Sequence, residues 1–146
     1  MPAVLSESAT HAARDVRVLV GRLRRRIRET YGHLDLTPSQ TSALSRIGRE
    51  GPLSASDLAA AERVRPQSIA ATLAVLEERG LTERRPDPGD GRRRLLTLTP
   101  AGTALLEDGR RAGEEWLARA LQERLSEAER RTVVEAMALL DRVTAP

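Results

Sequence analysis

Residues 54–80 read SASDLAAAERVRPQSIAATLAVLEERG, and Pro66 in the middle constrains the fold more than any other residue. A proline disfavours the helical conformation of the residue before it, so no single helix can cross Arg65. Ser54 has the chemistry of a helix cap, with Asp57 three residues later, and Leu58, Ala59 and Ala61 begin a short helix behind it. Pro66 suits the first turn of a second helix. Ile69, Leu73 and Leu76 fall on one side of that helix, and Gly80 can end it. Two short helices with a tight break between them predict a helix-turn-helix.

The next stretch, LTERRPDPGDGRRRLLTLT, predicts a β-hairpin, with residues 81–85 pairing antiparallel to 94–98 across a Pro/Gly turn. A helix-turn-helix followed by a hairpin is a winged arrangement. On its N-terminal side, Thr37, Pro38 and Gln40 form a helix start with a capping box, and Ala43, Leu44 and Ile47 give an inner face. Further upstream, Ala12, Val16, Leu19, Val20, Leu23 and Ile27 make one apolar stripe on a long helix.

Downstream, Leu105, Ala112, Trp116, Leu117, Ala120 and Leu121 line another long helix. Gly109 and Gly113 interrupt it, either to admit a close neighbour or as a weakened surface turn. A capping box from Ser126 to Glu129 opens the last helix, where Val133, Val134, Met137, Leu140 and Val143 are expected to face inward. The fold class is therefore mainly α with a small β-hairpin wing. The outer helices carry more apolar stripe than a small central core can cover, and such stripes usually find a second chain, so a homodimer is expected.

Composition narrows the chemistry. Residues 63–94 carry 8 arginines against 5 acids, while residues 95–146 carry 7 against 9. The basic excess thus falls around the hairpin and, with 7 arginines against 4 acids over residues 1–35, on the N-terminal helix. There is no lysine, so every fixed cation is a planar guanidinium suited to phosphate or carboxylate. The chain has no cysteine, which removes thiol catalysis and Cys-based metal or redox sensing. It has two histidines, no HExxH and no phosphate-binding Gly-Lys-Ser/Thr loop. Asp87 and Asp90 lie in a hydrophilic turn where nothing would shift a carboxyl toward acid–base work. No enzyme, cofactor or metal site is expected. No apolar run approaches the ~20 residues that cross a bilayer, and the N-terminus has no basic-then-apolar signal pattern, so a cytoplasmic chain without a membrane partner is expected.

Three segments, LTPSQTSALSRI, LAAAERVRPQSIAATLAVLEERGLTERR and DPGDGRRRLLTLTPAG, together resemble the MarR family of bacterial winged-helix transcription regulators. The last is the most specific: Asp90 and Arg92 match the family's wing core, and Leu98, Thr99 and Gly102 match the strand and the opening of the next helix. The resemblance extends from about residue 10 to residue 143. It implies a single domain over residues 1–146, with a winged helix-turn-helix lobe at about 36–99 and helical dimerisation regions at about 10–35 and 100–146. It also implies a homodimer on a pseudo-palindromic double-stranded DNA operator, acting as a repressor. Residues 66–78 would be the recognition helix in the major groove, with the wing near the minor groove. Many members are released by a small aromatic or phenolic ligand.

Residue chemistry completes this expectation. An arginine at a hairpin tip can enter the narrow, negatively polarised minor groove, and Arg92 is the position matching the family's groove arginine. Asp90 is a candidate to orient the Arg92 guanidinium, or simply to form the turn. Arg93, Arg94, Arg84 and Arg85 are candidate phosphate contacts, which supply affinity and register rather than sequence information. Arg65, Gln67, Ser68 and Thr72 are the candidate readers at the start of the recognition helix. Ala70 and Ala71 stand where relatives often carry polar side chains; they can touch a thymine methyl but form no hydrogen bond. Tyr31, His33 and Trp116 are candidate ligand residues. Two other readings remain: a DNA-binding protein indifferent to sequence, and a winged-helix module for protein contact.

Overall fold

The computed structural model describes residues 4–145, apart from the side chain of His33. In chain order the elements are α1 (Glu7–Glu29), a 3-10 turn (Thr30–Leu34), α2 (Pro38–Glu50), α3 (Ala55–Glu62), α4 (Pro66–Glu78), β1 (Thr82–Pro86), β2 (Arg94–Leu98), α5 (Pro100–Arg124) and α6 (Glu127–Thr144).

Side-chain caps set most of these boundaries. The Thr37 hydroxyl accepts from the Gln40 amide at 3.2 Å, and the Thr37 amide donates to Gln40 Oε1 at 3.0 Å. Ser126 and Glu129 repeat this reciprocal pair at α6. Each box satisfies backbone donors that the first helical turn leaves open. Ser54 caps α3 by accepting from the Asp57 amide at 3.1 Å. At the end of α4, Gly80 adopts φ 69°. That left-handed geometry lets the Gly80 and Leu81 amides fold back to the Glu77 and Leu76 carbonyls. Leu81 is thereby drawn into the core, and β1 starts one residue later than its sequence suggested.

One core joins the central elements: Ala43, Leu44 and Ile47 from α2, Leu58 and Ala59 from α3, Ile69, Leu73 and Leu76 from α4, then Leu81 and Leu96. The hairpin pairs Thr82 with Leu98 through Pro86 with Arg94. Leu53 bridges Leu96 on the other side of β2, with amide–carbonyl bonds of 3.3 and 2.7 Å. The wing therefore leaves a platform anchored both by pairing and by a fully buried leucine.

The glycines of α5 settle between their two readings. Gly109 and Gly113 are buried. A Cβ at Gly109 would run into the Tyr31 ring, and one at Gly113 would lie 2.9 Å from Ile27 Cγ2. These glycines let α5 lie directly on the 3-10 turn and on α1. The inward orientation expected for α6 does not hold within the chain. None of its residues is buried; Val134, Met137 and Val143 are exposed, as is Leu139, and Val133 and Leu140 are half-buried. Leu19 and Val20 of α1 are exposed as well. The apolar periodicity was real, but no element among the described residues covers these faces.

Candidate nucleic-acid interface

The turn between α3 and α4 is made by Arg63, which takes the left-handed conformation at φ 56°. This ends α3 at a single residue, and the Arg63 and Val64 amides close onto the Ala60 and Ala59 carbonyls. Arg65 is extended, as a residue before proline should be, and α4 begins at Pro66. The arginines at 63 and 65 are exposed and have no side-chain partner among the described residues. Sequence reading passed over Arg63, because a left-handed arginine leaves no mark in composition or periodicity.

On α4, successive side chains turn by about 100°. Ile69, Leu73 and Leu76 are buried, so the opposite line carries Gln67, Ala71, Ala74 and Glu78, all exposed. Ala70 flanks that line on the side of Glu77. Ser68 and Thr72 lie on the other flank, where with Pro38, Ser42 and Glu62 they line a cleft of about 280 Å³ against α2. Of the four candidate readers, Gln67 therefore points most directly outward, and Ser68 and Thr72 lie to the side.

The arginines of the hairpin separate into two groups. Arg84 Nε donates to Glu77 at 2.5 Å, tying β1 to α4. Arg85 pairs with its strand neighbour Glu83 at 2.5 Å. Arg93 reaches back to the start of α3, where one guanidinium nitrogen donates to Ser54 Oγ at 3.1 Å and to the Asp57 carboxylate. The Asp57 carboxyl is held below its ordinary value, first by its hydrogen bond from Ser54 and then by Arg93. Arg92 and Arg94, by contrast, are exposed and have no partner among the described residues.

The tip itself is built from aspartates. Asp87 Oδ1 accepts from the Gly89 amide at 2.8 Å, and Asp90 Oδ1 accepts from the Arg92 amide at 3.0 Å. Main-chain bonds from Arg93 to Asp90 and from Asp87 to Arg93 close the turn. Asp90 thus fixes the backbone of Arg92 rather than clasping its guanidinium. A short aspartate bonding two residues ahead in a turn is a favourable local arrangement, and it leaves the arginine head free.

Of the candidate ligand residues, Tyr31 lines two clefts. One, of about 220 Å³, lies between α1 and α2 beside Arg24, Arg28 and Arg49. The other, of about 380 Å³, lies between α2 and α5 beside Leu98, Leu106 and Arg110. Trp116 lines neither; its ring lies 5.8 Å from the Arg26 guanidinium, a cation–π arrangement on the outer helices. The side chain of His33 lies outside the described residues.

Near this geometry, residues 34–93 match the model of the MarR family. An HTH-type transcriptional regulator of Mycobacterium tuberculosis is 37% identical over 115 residues, covering 79% of this chain and 80% of the relative. A solved transcriptional regulator from Pseudomonas aeruginosa is 35% identical, with 97% of this chain and 99% of that one covered and a TM-score of 0.73. A MepR mutant from Staphylococcus aureus, solved bound to an oligodeoxyribonucleotide, has the same fold at 22% identity, covering 92% of this chain and 98% of that one with a TM-score of 0.66. With its DNA-binding winged helix and its relatives that are regulators rather than enzymes, the chain belongs to the MarR family of transcriptional regulators.

Proposed function

We propose that the chain acts as a homodimeric repressor on a pseudo-palindromic operator, with α4 in the major groove and the hairpin tip in the adjacent minor groove. The observation that carries this reading is Arg92: an unpaired guanidinium on a braced tip, its backbone fixed by Asp90. Arg65 and Arg94 add cations without internal partners for the phosphates beside it. The winged lobe is residues 36–99, and the regions 10–35 and 100–146 pair with a second copy. The exposed Leu19, Val20, Val134 and Met137 support that pairing, because apolar groups on both outer helices gain most by covering one another. That a Staphylococcus aureus relative of the same fold was solved bound to an oligodeoxyribonucleotide supports DNA as the partner. Such a regulator works in the cytoplasm.

The effector is a small aromatic or phenolic anion. The cleft beside Tyr31 supports it, because Arg24 and Arg28 there have no partner among the described residues, while Arg49 also acts electrostatically on Glu62. A thermal-shift screen of small aromatic acids tests this part.

The DNA-binding reading is tested by selecting bound sites from a random duplex pool at fixed salt. A pseudo-palindromic consensus is expected, and Arg92→Ala should weaken binding to it while the dimer persists. Equal affinity for the selected site and for random duplex would instead favour the sequence-indifferent reading, for which the exposed Ala70, Ala71 and Ala74 speak.

A further inference from the structure

We infer that Arg93 is a positioning residue of the wing: its clamp onto Ser54 and Asp57 aims Arg92, and it makes no DNA contact of its own. The inference rests on the reading of Arg92 as the groove-entering residue. Two adjacent arginines in the same hairpin have opposite fates. The Arg92 head is unpaired, whereas the Arg93 head is committed to the start of α3, thirty-six residues earlier in the chain. The anchor is firm because Ser54 is itself buried and capped onto α3. The Arg93 backbone is equally committed: its amide donates to Asp90 and its carbonyl accepts from Asp87. The residue that closes the tip is therefore also the one that fastens the tip to the helix-turn-helix.

The mechanical consequence follows from the pairing pattern. Past the ladder that ends at Pro86 and Arg94, the tip has no other strand beside it. A two-stranded hairpin alone is marginal in water. Without the Arg93 strut the tip would pivot about that ladder, and Arg92 would lose the fixed approach on which groove insertion depends. Ordering it on binding would then cost entropy that the clamp has already met.

Asp57→Asn gives the sharpest test, because two ideas predict opposite signs. If Arg93 reaches phosphate, removing the competing acid frees a cation and removes a repulsive charge, so affinity rises. If Arg93 positions the wing, affinity for the selected operator falls several-fold.

Salt dependence and a double-mutant cycle supply independent readouts. A lost phosphate contact lowers the slope of log K against log salt by about 0.9 per site. In an Arg92→Ala background, adding Arg93→Ala should leave that slope unchanged. Arg92→Ala alone should cost about tenfold, and adding Arg93→Ala should cost little more, since an unaimed Arg92 is already of little use. A rise in affinity for Asp57→Asn, a slope reduced further by Arg93→Ala in the Arg92→Ala background, or losses that multiply in the double mutant would each overturn the inference. If Arg92→Ala itself is silent, the groove reading falls and this inference falls with it. Thermal unfolding of each variant, matched to wild type, shows that the losses arise in the wing rather than in the fold.

Discussion

Gly109→Ala should destabilise the protein, although alanine is the better helix former. In an exposed helix the substitution would gain about 1 kcal/mol. Here the new methyl meets the Tyr31 ring, and Leu34 Cδ1 lies 3.1 Å from it. The leucine methyl is the end of a flexible side chain and can rotate away. The tyrosine ring is half-buried between clefts and must swing as a unit. Forcing a methyl into a packed contact costs about 1–3 kcal/mol, so the net loss is about 1 kcal/mol after the helical gain. For a chain of this length that corresponds to a fall of ~3 °C in Tm. The decisive measurement is the same substitution in a Tyr31→Ala background, followed by urea or thermal unfolding at one protein concentration. With the ring gone, the propensity term should dominate, and Gly109→Ala should become stabilising by about 0.5–1 kcal/mol. Gly21→Ala, where the new methyl meets nothing within 4 Å beyond its chain neighbours and its own helix backbone, provides a stabilising control. If Gly109→Ala stabilises the wild-type chain as much as it does the Tyr31→Ala chain, the close approach of α5 to the 3-10 turn is not the reason for the glycine.

Three further outcomes are expected. Burial opposes ionisation of Glu62, but the Ser42 hydroxyl at 2.6 Å and Arg46 at 2.5 Å outweigh it and hold the carboxyl below its ordinary value. Its stabilising contribution is therefore present above the unfolded-state value of ~4.3 and fades as pH falls through the lower folded value. The stability gap between wild type and Glu62→Gln should be open at pH 7 and close below about pH 4; a gap independent of pH would contradict the assignment. Met137→Glu places a charge on the exposed apolar face of α6. Burying an unpaired charge costs about 3–5 kcal/mol, so sedimentation should show dissociation, and an unaffected dimer would mean that α6 is not in the interface. Finally, replacing thymines by deoxyuracils in the selected half-site should weaken binding by about fourfold per contacted base, the worth of one buried methyl. No change at any thymine would show that Ala71 and Ala74 do not touch the groove floor.

Features specified locally were legible in the sequence. The Thr37–Gln40 and Ser126–Glu129 boxes, the break at Pro66 and the stop at Gly80 each depend on a few neighbouring residues, and each lies where the sequence suggested. Long-range features were not legible. Nothing near Arg93 announces Asp57, and nothing near Gly109 announces Tyr31, because both pairs form only once α3 and α5 have packed. The left-handed turn at Arg63 was equally hidden, since most side chains avoid that conformation and no periodicity encodes it. For α6 the period identified the apolar face correctly, but a period says which residues share a face, not whether that face is covered.

The distribution of arginines ties these observations together. A hairpin with adjacent cations should repel itself, and a chain that needed only a turn would not keep them. The fold resolves the repulsion selectively: Glu77, Glu83 and Asp57 neutralise Arg84, Arg85 and Arg93, while Arg63, Arg65, Arg92 and Arg94 keep their charge unpaired among the described residues. Each neutralised arginine braces the wing or joins it to a helix of the helix-turn-helix, except Arg85, which pairs within its own strand. Each free one lies at the turn before α4, on the hairpin tip or at the start of β2. The whole net charge of +3 is matched by residues 63–94 alone, where 8 arginines face 5 acids, two of which, Asp87 and Asp90, stay at the tip. A polyanion approaching the turn and the hairpin tip would meet guanidiniums with no internal partner, at Arg92 on a braced backbone, so contact there breaks no ion pair. That is the physical reason for expecting Arg92→Ala to cost more than Arg85→Ala, although both remove one cation from the same hairpin.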